Sequence, residues 1–225
     1  MYEYFVWIVL TLAMATTAIV LSKKHGIVYA IGMYAGFVVV ANVIACKILT
    51  FGPMTIPAGF LVYSSTFLIT DAISEFWGKE QAKKAVWVGF LANIMLVISV
   101  WIAVKWAYPD WWTNPGQEAY SAVLGFVPRL VLASMIAYLV SQHHDVWAYD
   151  KWRQITKGKY LWLRNNCSTF VSQALDTTIF ITIAFYGTMP NDVLLSMVVW
   201  QYVAKLLVAV IDTPFLYITR WFMKE

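Results

Sequence analysis

The sequence predicts an all-α integral membrane protein, a polytopic bundle of about seven transmembrane helices. Of its 225 residues, 61% are hydrophobic and 12% are charged, whereas soluble domains carry about 25% charged residues. The mean hydropathy is +0.66. No polar block is long enough to fold on its own, so we expect a single membrane domain over residues 1–225, with the backbone polar groups satisfied inside helices.

Clusters of Gly, Pro and charged residues divide the chain into apolar segments, and a spanning helix needs about 20 mostly apolar residues. The predicted spans are residues 2–21, 27–49, 56–77, 85–106, 119–141, 168–187 and 193–219. The first segment could be read as a signal peptide. We favour a retained helix, because no clear small-residue cleavage site follows it.

The basic residues alternate between successive connections. They follow the first, third, fifth and seventh spans: Lys23, Lys24, Lys79, Lys83, Lys84, Lys151, Arg153, Lys157, Lys159, Arg164, Arg220 and Lys224. The other connections contain Gly52 with Pro53, Asp110 with Glu118, and Asn191 with Asp192. Since cytoplasmic loops retain positive charge, we expect the N-terminus outside and the C-terminus in the cytoplasm. The net charge of +4 is then a topology signal beside anionic lipid headgroups, and we expect no nucleic-acid partner.

The third span contains two acids, Asp71 and Glu75, one helical turn apart and therefore on one face. A charged side chain at the centre of a spanning helix costs about 2.5–3.5 kcal/mol on insertion scales, so we interpret Asp71 as part of a functional polar site. Glu75, close to Lys79, is either part of that site or a solvated helix end. Phe67 lies one turn before Asp71.

The second and fifth spans contain isolated polar groups. Asn42 suits either a ligand edge or a hydrogen bond between helices. Arg129 is always charged and needs carboxylate or carbonyl groups around it. It is therefore either a structural partner for an acid elsewhere in the bundle or a side chain that extends to the membrane interface. His143 and His144 point about 100° apart on a helix, so we expect loop residues and no metal site. The fifth span and the residues directly after it carry one polar stripe, which comprises Ser134, Tyr138, Ser141, Gln142 and Asp145.

The sixth span carries the densest polar stripe. Ser168, Ser172 and Asp176 recur every fourth residue, and Thr169 and Gln173 widen the same face. Hydroxyl groups alone could join helices, but an acid and an amide on the same stripe favour a face that lines a cavity.

The seventh span places Gln201, Lys205 and Asp212 on one face. A deep lysine is as costly as a deep aspartate. We therefore expect Lys205 to pair with Asp71, Asp176 or Asp212.

Three segments together resemble the queuosine precursor transporter family, members of which were earlier described as vitamin uptake transporters. They are residues 58–78 (AGFLVYSSTFLITDAISEFWG), 128–145 (PRLVLASMIAYLVSQHHD) and 164–185 (RNNCSTFVSQALDTTIFITIAF). The combined patterns F-L-x-T-D-x-x-x-E and S-T-x-x-S-Q-x-x-D-T are specific, and the resemblance extends over about residues 42–214. Ser65 stands where the family often has Pro.

The resemblance implies a transporter in the cell membrane that imports a 7-deazaguanine base for modified tRNA nucleosides, without a cofactor. The base would be 7-cyano- or 7-aminomethyl-7-deazaguanine. Residues 27–220 would form the transporter core, and residues 1–24 an extra N-terminal helix that six-helix members lack.

Such a base is planar and neutral, with hydrogen-bond donors and acceptors along its edges. The predicted polar wall consists of Asn42, Asp71, Gln173 and Asp176. Within it, we expect Asp71 and Asp176 to form a clamp from two helices. The further predicted site residues are Phe67 or Tyr138 for stacking, Lys205 for orientation, and Glu75. Arg129 and Asp212 are predicted as structural charge partners.

Two other functions are compatible with the sequence. Because the chain lacks a Walker A loop, it could be the substrate-binding membrane subunit of a vitamin-type importer that a partner energises; a homo-oligomer is equally compatible. A membrane-embedded enzyme is disfavoured, since the chain contains no H-E-x-x-H motif and no G-x-G-D motif.

Overall fold

The computed structural model describes residues 2–51 and 54–224, and it consists of α-helices joined at one point by a short β-hairpin. The helices are α1 (Tyr2–His25), α2 (Val28–Ile44), α3 (Phe60–Trp77), α4 (Lys79–Lys105), α5 (Glu118–Leu124), α6 (Val127–Ile155), α7 (Leu161–Phe185) and α8 (Asn191–Lys224). The strands are β1 (Ile48–Phe51) and β2 (Met54–Pro57), and a 3-10 turn (Asp110–Trp112) and a π turn (Thr113–Gln117) precede α5.

The predicted class, an all-α membrane bundle, is confirmed. Among the described residues, five helical stretches are long and apolar enough to cross a membrane: Phe5–His25, Lys79–Lys105, Glu118–Ile155, Leu161–Phe185 and Asn191–Met223. Val28–Ile44 is apolar but shorter. The predicted orientation of the termini and the division into an extra helix and a core remain predictions.

Helix α3 is the central element of the bundle and is not among those five apolar stretches. It contacts α1, α2, α4, α6, α7 and α8, and its residues from Phe60 to Ser74 are buried. Since protein surrounds α3, its hydroxyl and carboxyl groups do not face lipid hydrocarbon, and the helix tolerates a polar composition.

The hairpin corrects the predicted boundary between the second and third spans. Helix α2 ends at Ile44 instead of residue 49, and the antiparallel strands pair from Ile48 with Pro57 to Phe51 with Met54. The N–H of Ala58 donates to the carbonyl of Lys47 at 2.7 Å, which closes the base of the hairpin. The predicted connection at residues 52–53 lies outside the described residues.

The sixth and seventh helices correct two further expectations. Helix α6 continues to Ile155, so His143 and His144, expected in a loop, lie within a helix. Arg164, counted above as a loop charge, lies in the first turns of α7 and is completely buried. The end of α6 and the start of α7 can be helical within the bundle because neighbouring helices cover their polar residues. Hydropathy alone does not reveal such coverage.

Four apolar clusters of described residues hold the bundle together, and two of them are the largest. One joins α1, α2, α3 and α4 and includes Leu12, Ile19 and Leu68, which shows that the first helix is packed into the bundle. The other joins α6 and α7 and includes Ala133 and Ala184. Small side chains of this kind let helices approach closely within a membrane.

Gly59 marks the closest approach of α3 to α2, and we predict that Gly59→Ala destabilises the protein. A Cβ at this position would collide with the carbonyl oxygen of Ala41 and lie 3.1 Å from the Cβ of Ala45. Overpacking of this kind costs about 1–3 kcal/mol. Thermal unfolding of the purified protein in detergent measures the effect.

Gly36→Ala is the matched control, because a Cβ at Gly36 of α2 meets nothing within 4 Å. The control should unfold at or slightly above the wild-type temperature, since alanine is a better helix former than glycine. Equal unfolding temperatures for the two variants would contradict the close contact.

Candidate functional site

A pocket lies beside the hairpin, where α2, α3, α6, α7 and α8 converge. The space inside it that a water-sized molecule can occupy is about 30 Å³, close to the volume of a single water molecule, so the helices must separate before a larger ligand can enter. The lining residues are Ala41, Asn42, Ala45, Pro57, Gly59, Phe60, Tyr63, Ser134, Asp176, Phe180, Gln201 and Lys205.

An ion pair forms the polar centre of this pocket. The Nζ atom of Lys205 lies 2.5 Å from Oδ2 of Asp176, and the two side chains are 1% and 4% exposed. Oγ of Ser141 donates to the other carboxylate oxygen at 3.1 Å. The expectation that Lys205 pairs with one of three acids is confirmed, and Asp176 is the partner. The pair leaves the pocket without net charge.

Two amides face the pocket from opposite helices. Asn42 donates its amide hydrogens to the carbonyl of Val38 at 3.1 Å and to Oδ1 of Asn93 at 2.8 Å. Its side-chain oxygen is therefore the group that remains for a ligand. Oε1 of Gln201 is buried and has no hydrogen-bond partner. Both amides can accept hydrogen bonds from a ligand that brings N–H groups.

The aromatic wall is Tyr63, Phe60 and Phe180, none of which the sequence analysis selected. Lys205 lies over the ring of Tyr63, with Nζ 5.3 Å from the ring centroid. Helical spacing could have identified Tyr63, because it precedes Phe67 by one helical turn and lies on the same face of α3.

The predicted stacking residues lie behind Tyr63 and do not line the pocket. The rings of Tyr63 and Phe67 meet edge to face, with centroids 6.0 Å apart. The centroids of Tyr63 and Tyr138 are 6.3 Å apart, and the Tyr138 hydroxyl donates to the carbonyl of Val86 on α4 at 3.0 Å. Phe67 and Tyr138 thus hold the ring of Tyr63 in place.

A second polar cluster lies toward the other end of the bundle. Asp71 and Asp145 are 1% and 0% exposed, and they approach each other from α3 and α6. Asp212 and Glu75 lie close enough to act electrostatically on Asp71. Asp71 is two turns beyond Tyr63, about 12 Å along α3. The neighbour of Asp71 is therefore Asp145, which lies one turn beyond the Ser141 that binds Asp176, and the clamp of Asp71 with Asp176 stays a prediction.

Glu75 is held by Arg164 and is not a solvated helix end. Their closest atoms, Nη2 and Oε2, are 3.2 Å apart, with side chains 0% and 10% exposed. The hydroxyl of Tyr149 lies 3.4 Å from Glu75, and Arg164 lies 5.6 Å from the ring centroid of Tyr149. The hydropathy pattern gave no signal for this pair, because Arg164 stands at the edge of an apolar segment.

The remaining predicted residues have other positions. Arg129 is exposed and binds two carbonyl oxygens near the C-terminus of α7, those of Ile183 at 3.1 Å and Tyr186 at 2.5 Å, instead of an acid. It stabilises groups that a helix end leaves unpaired. Gln173 is buried, with both amide atoms unpartnered, and does not line the pocket. Asp212 is buried near Asp71.

The two histidines bind neighbouring helix groups. Nδ1 of His143 lies 2.7 Å from the carbonyl oxygen of Leu139, and Nδ1 of His144 lies 2.9 Å from Oγ of Ser172. In the part of the chain that the structure describes, no group of three His, Cys, Asp or Glu side chains could hold a metal ion.

Residues 57–219 match the family model described as Putative vitamin uptake transporter. The Probable queuosine precursor transporter of Bacillus subtilis is 34% identical over 190 residues, which cover 84% of this chain and 82% of the relative. The chain belongs to the queuosine precursor transporter family.

Two further members of the queuosine precursor transporter family match over 128 residues, or 57% of this chain. The Haemophilus influenzae protein, a Probable queuosine precursor transporter, is 31% identical over 51% of its length. The Escherichia coli Queuosine precursor transporter is 27% identical over 54% of its length. No solved structure matches the chain significantly. Membership in the queuosine precursor transporter family confirms a membrane transporter and excludes the enzyme alternative.

We predict that Lys205→Met destabilises the protein, because it leaves the carboxylate of Asp176 buried without its cation. Removal of one partner of a buried ion pair costs about 3–5 kcal/mol. The double variant Lys205→Met with Asp176→Asn should recover part of this loss, since no charge remains uncompensated.

Thermal unfolding in detergent compares the single variant with the double variant. The control is Lys47→Met, the same substitution at an exposed lysine. Lys47→Met should unfold at the wild-type temperature. A double variant that unfolds no later than Lys205→Met would show that the ion pair is not what stabilises this region.

Proposed function

We propose that this protein imports a queuosine precursor with a 7-deazaguanine base across the cell membrane, and that the pocket around Asp176 and Lys205 binds the base. The substrate would be 7-cyano-7-deazaguanine or 7-aminomethyl-7-deazaguanine. The observation that carries the proposal is the convergence of a neutral ion pair, two amides and an aromatic wall in one buried pocket.

The hydrogen-bonding groups of the pocket complement the edge of a guanine-like base. The amidine edge of the base presents adjacent N–H donors. Carboxylates have about four acceptor positions, of which Lys205 and Ser141 occupy two at Asp176. The oxygen of Gln201 can accept a further hydrogen bond. A base that left water without these partners would lose about 1–3 kcal/mol for each unsatisfied group.

The lysine supplies the complementary donor. Lys205 can donate from an ammonium with three N–H groups, one of which Asp176 takes. Another can reach the carbonyl oxygen of the base. This arrangement favours the neutral 7-cyano base over the 7-aminomethyl base, whose amine is protonated at neutral pH, because the ion pair already balances the charge of the pocket.

The aromatic wall suits the planar faces of the base. Tyr63, held edge to face by Phe67, offers a ring of fixed orientation. Phe60 and Phe180 add apolar surface to the same pocket. Offset stacking on such rings contributes about 0.5–1.5 kcal/mol beyond the burial of area.

The other predicted binding residues fit a path that leads away from this pocket. Asp71 and Glu75 lie further along α3, toward its C-terminal end. Gln173 lies on α7 between Asp176 and the Arg164 end of that helix. We propose that these side chains contact the base during its passage, after it has left the pocket.

We predict that 7-cyano-7-deazaguanine stabilises the purified protein against heat and that Asp176→Asn weakens its binding at least about tenfold, equivalent to about 1.4 kcal/mol. A hydrogen bond to a charged group contributes about 1.5–3 kcal/mol, so the tenfold loss is the smallest effect that we expect. Ligand-dependent thermal shifts with a series of purines and deazapurines give the affinities.

Asp192→Asn is the matched control, because Asp192 is an exposed acid at the start of α8. It should bind like the wild type. Uptake of the labelled base into liposomes that contain the purified protein tests transport directly. If wild-type protein shows neither a thermal shift nor saturable uptake, the assigned substrate is wrong; if both aspartate variants bind alike, the assigned pocket is wrong.

A further inference from the structure

The second polar cluster contains two carboxyl groups that face each other within the bundle. The side chains of Asp71 and Asp145 are close enough to share a hydrogen bond. Ionised carboxylates only accept hydrogen bonds. Two of them in contact inside a bundle therefore require a proton between them, as in other carboxyl pairs that cannot both ionise.

The charges around this pair do not remove that requirement. Arg164 and Lys205 are the buried cations among the described residues. Arg164 pairs with Glu75, and Lys205 pairs with Asp176. Neither of these two ion pairs includes Asp71 or Asp145.

Several groups lie close to the pair. Glu75 on α3, Asp212 on α8 and Tyr149 on α6 lie near Asp71, and Tyr34 on α2 lies near Asp145. Two cations lie one step further away, beside Tyr149: Arg164 binds Glu75, and Arg153 donates to the carbonyl of Ser74 at 3.3 Å. The surroundings therefore favour a pair that shares one proton over two carboxylates.

Unpartnered polar atoms point to an occupant of the cluster. Oδ2 of Asp71, both carboxylate oxygens of Asp145 and Nε2 of Gln142 are buried and lack a donor or an acceptor. A shared proton would satisfy two of the carboxylate oxygens. The Gln142 amide lies one turn from Asp145 on α6 and can donate to the member of the pair that stays ionised.

A short polar chain connects the pair to the outside of the bundle. Ser172 contacts Asp145, and its hydroxyl oxygen lies 2.9 Å from Nδ1 of the half-buried His144. Asp150, five positions beyond Asp145 on α6, pairs with Lys79 at the exposed end, about 8 Å further along the helix. The Ser172 hydroxyl donates to the carbonyl of Ser168 at 2.9 Å. Once it rotates toward Asp145, a proton can reach Asp145 from this end through His144 and Ser172.

A second polar connection leads from the pair to the pocket. Oγ1 of Thr70, the residue before Asp71, lies 3.4 Å from Oε1 of Gln142. The residue before Gln142 is Ser141, which donates to Asp176. Helices α3 and α6 therefore carry both the carboxyl pair and part of the pocket wall.

We propose that Asp71 and Asp145 form a proton-binding site that couples precursor transport to proton movement in the same direction. One proton binds to the pair and removes the repulsion between α3 and α6, which holds the pocket closed around its ligand. Its release leaves two carboxylates that repel each other and shifts the same two helices apart. This inference rests on the proposed function and adds its energy source.

The test uses full-length protein in liposomes that contain a pH-sensitive dye, with labelled 7-cyano-7-deazaguanine as the substrate. Addition of the substrate outside should acidify the interior. With a pH gradient of about one unit, alkaline inside, the base should accumulate until it is up to about tenfold more concentrated inside than outside. If one proton moves with each base, the proton gradient and the base gradient are then equal in free energy. A protonophore should abolish the accumulation.

Asp145→Asn should still exchange labelled for unlabelled base, at a reduced rate, but lose accumulation and the dye signal. Ser172→Ala should slow the dye signal several-fold. Asp150→Asn removes an acid at the exposed end of the same helix and should behave like the wild type. Because substrate-driven acidification is measured on wild-type protein, the test stands even if Asp145→Asn does not fold.

Saturable exchange without acidification or a response to the pH gradient would overturn the proton site and leave the proposed function intact. Accumulation driven by a sodium gradient would overturn it equally. The absence of both binding and exchange in wild-type protein would instead show that the proposed function, and this inference with it, is wrong.

Discussion

The buried ion pair between Lys205 and Asp176 is the interaction on which the pocket depends. It joins α8 to α7, Ser141 connects α6 to the same carboxylate, and Tyr63 of α3 lies beneath the ammonium. A lone charge at this depth would cost several kcal/mol, so neither partner is tolerated without the other. Four helices therefore have a fixed relative position at this level, and the space between them becomes a defined binding pocket.

The polar helix α3 can exist inside a membrane because the other helices surround it. Its hydroxyl groups satisfy themselves within the helix, as when Ser64 donates to the carbonyl of Phe60 at 2.7 Å. Its acids meet partners from α6 and α7. The apolar helices α1 and α4 supply lipid-facing surface, since Phe5 and Leu91 are largely exposed. This division of roles explains why hydropathy identifies the outer helices most readily.

The sequence predicted the class of fold and the costly charges, because both follow from the free energy of transfer into lipid. Asp71, Asp176 and Lys205 were found in this way, and the partner of Lys205 was narrowed to three acids. Spacing along one helix does not show which helix lies opposite, so the approach of Asp145 to Asp71 and the burial of Arg164 could not be predicted. Tyr63 carries no charge penalty and therefore gave no signal.

The two polar clusters differ in how their charge is balanced, and this difference underlies the different roles that we propose for them. At the pocket, a lysine neutralises an aspartate, so the site can receive and release a neutral planar ligand without a change in charge. One turn further along α6, two acids face each other, and a proton shared between them removes their mutual repulsion. Because α3 and α6 contribute to both clusters, a change in the protonation of one alters the helix contacts that shape the other. Under the proposal above, the second site supplies a driving force that a neutral base such as 7-cyano-7-deazaguanine lacks, since the base itself carries no charge on which a membrane potential could act.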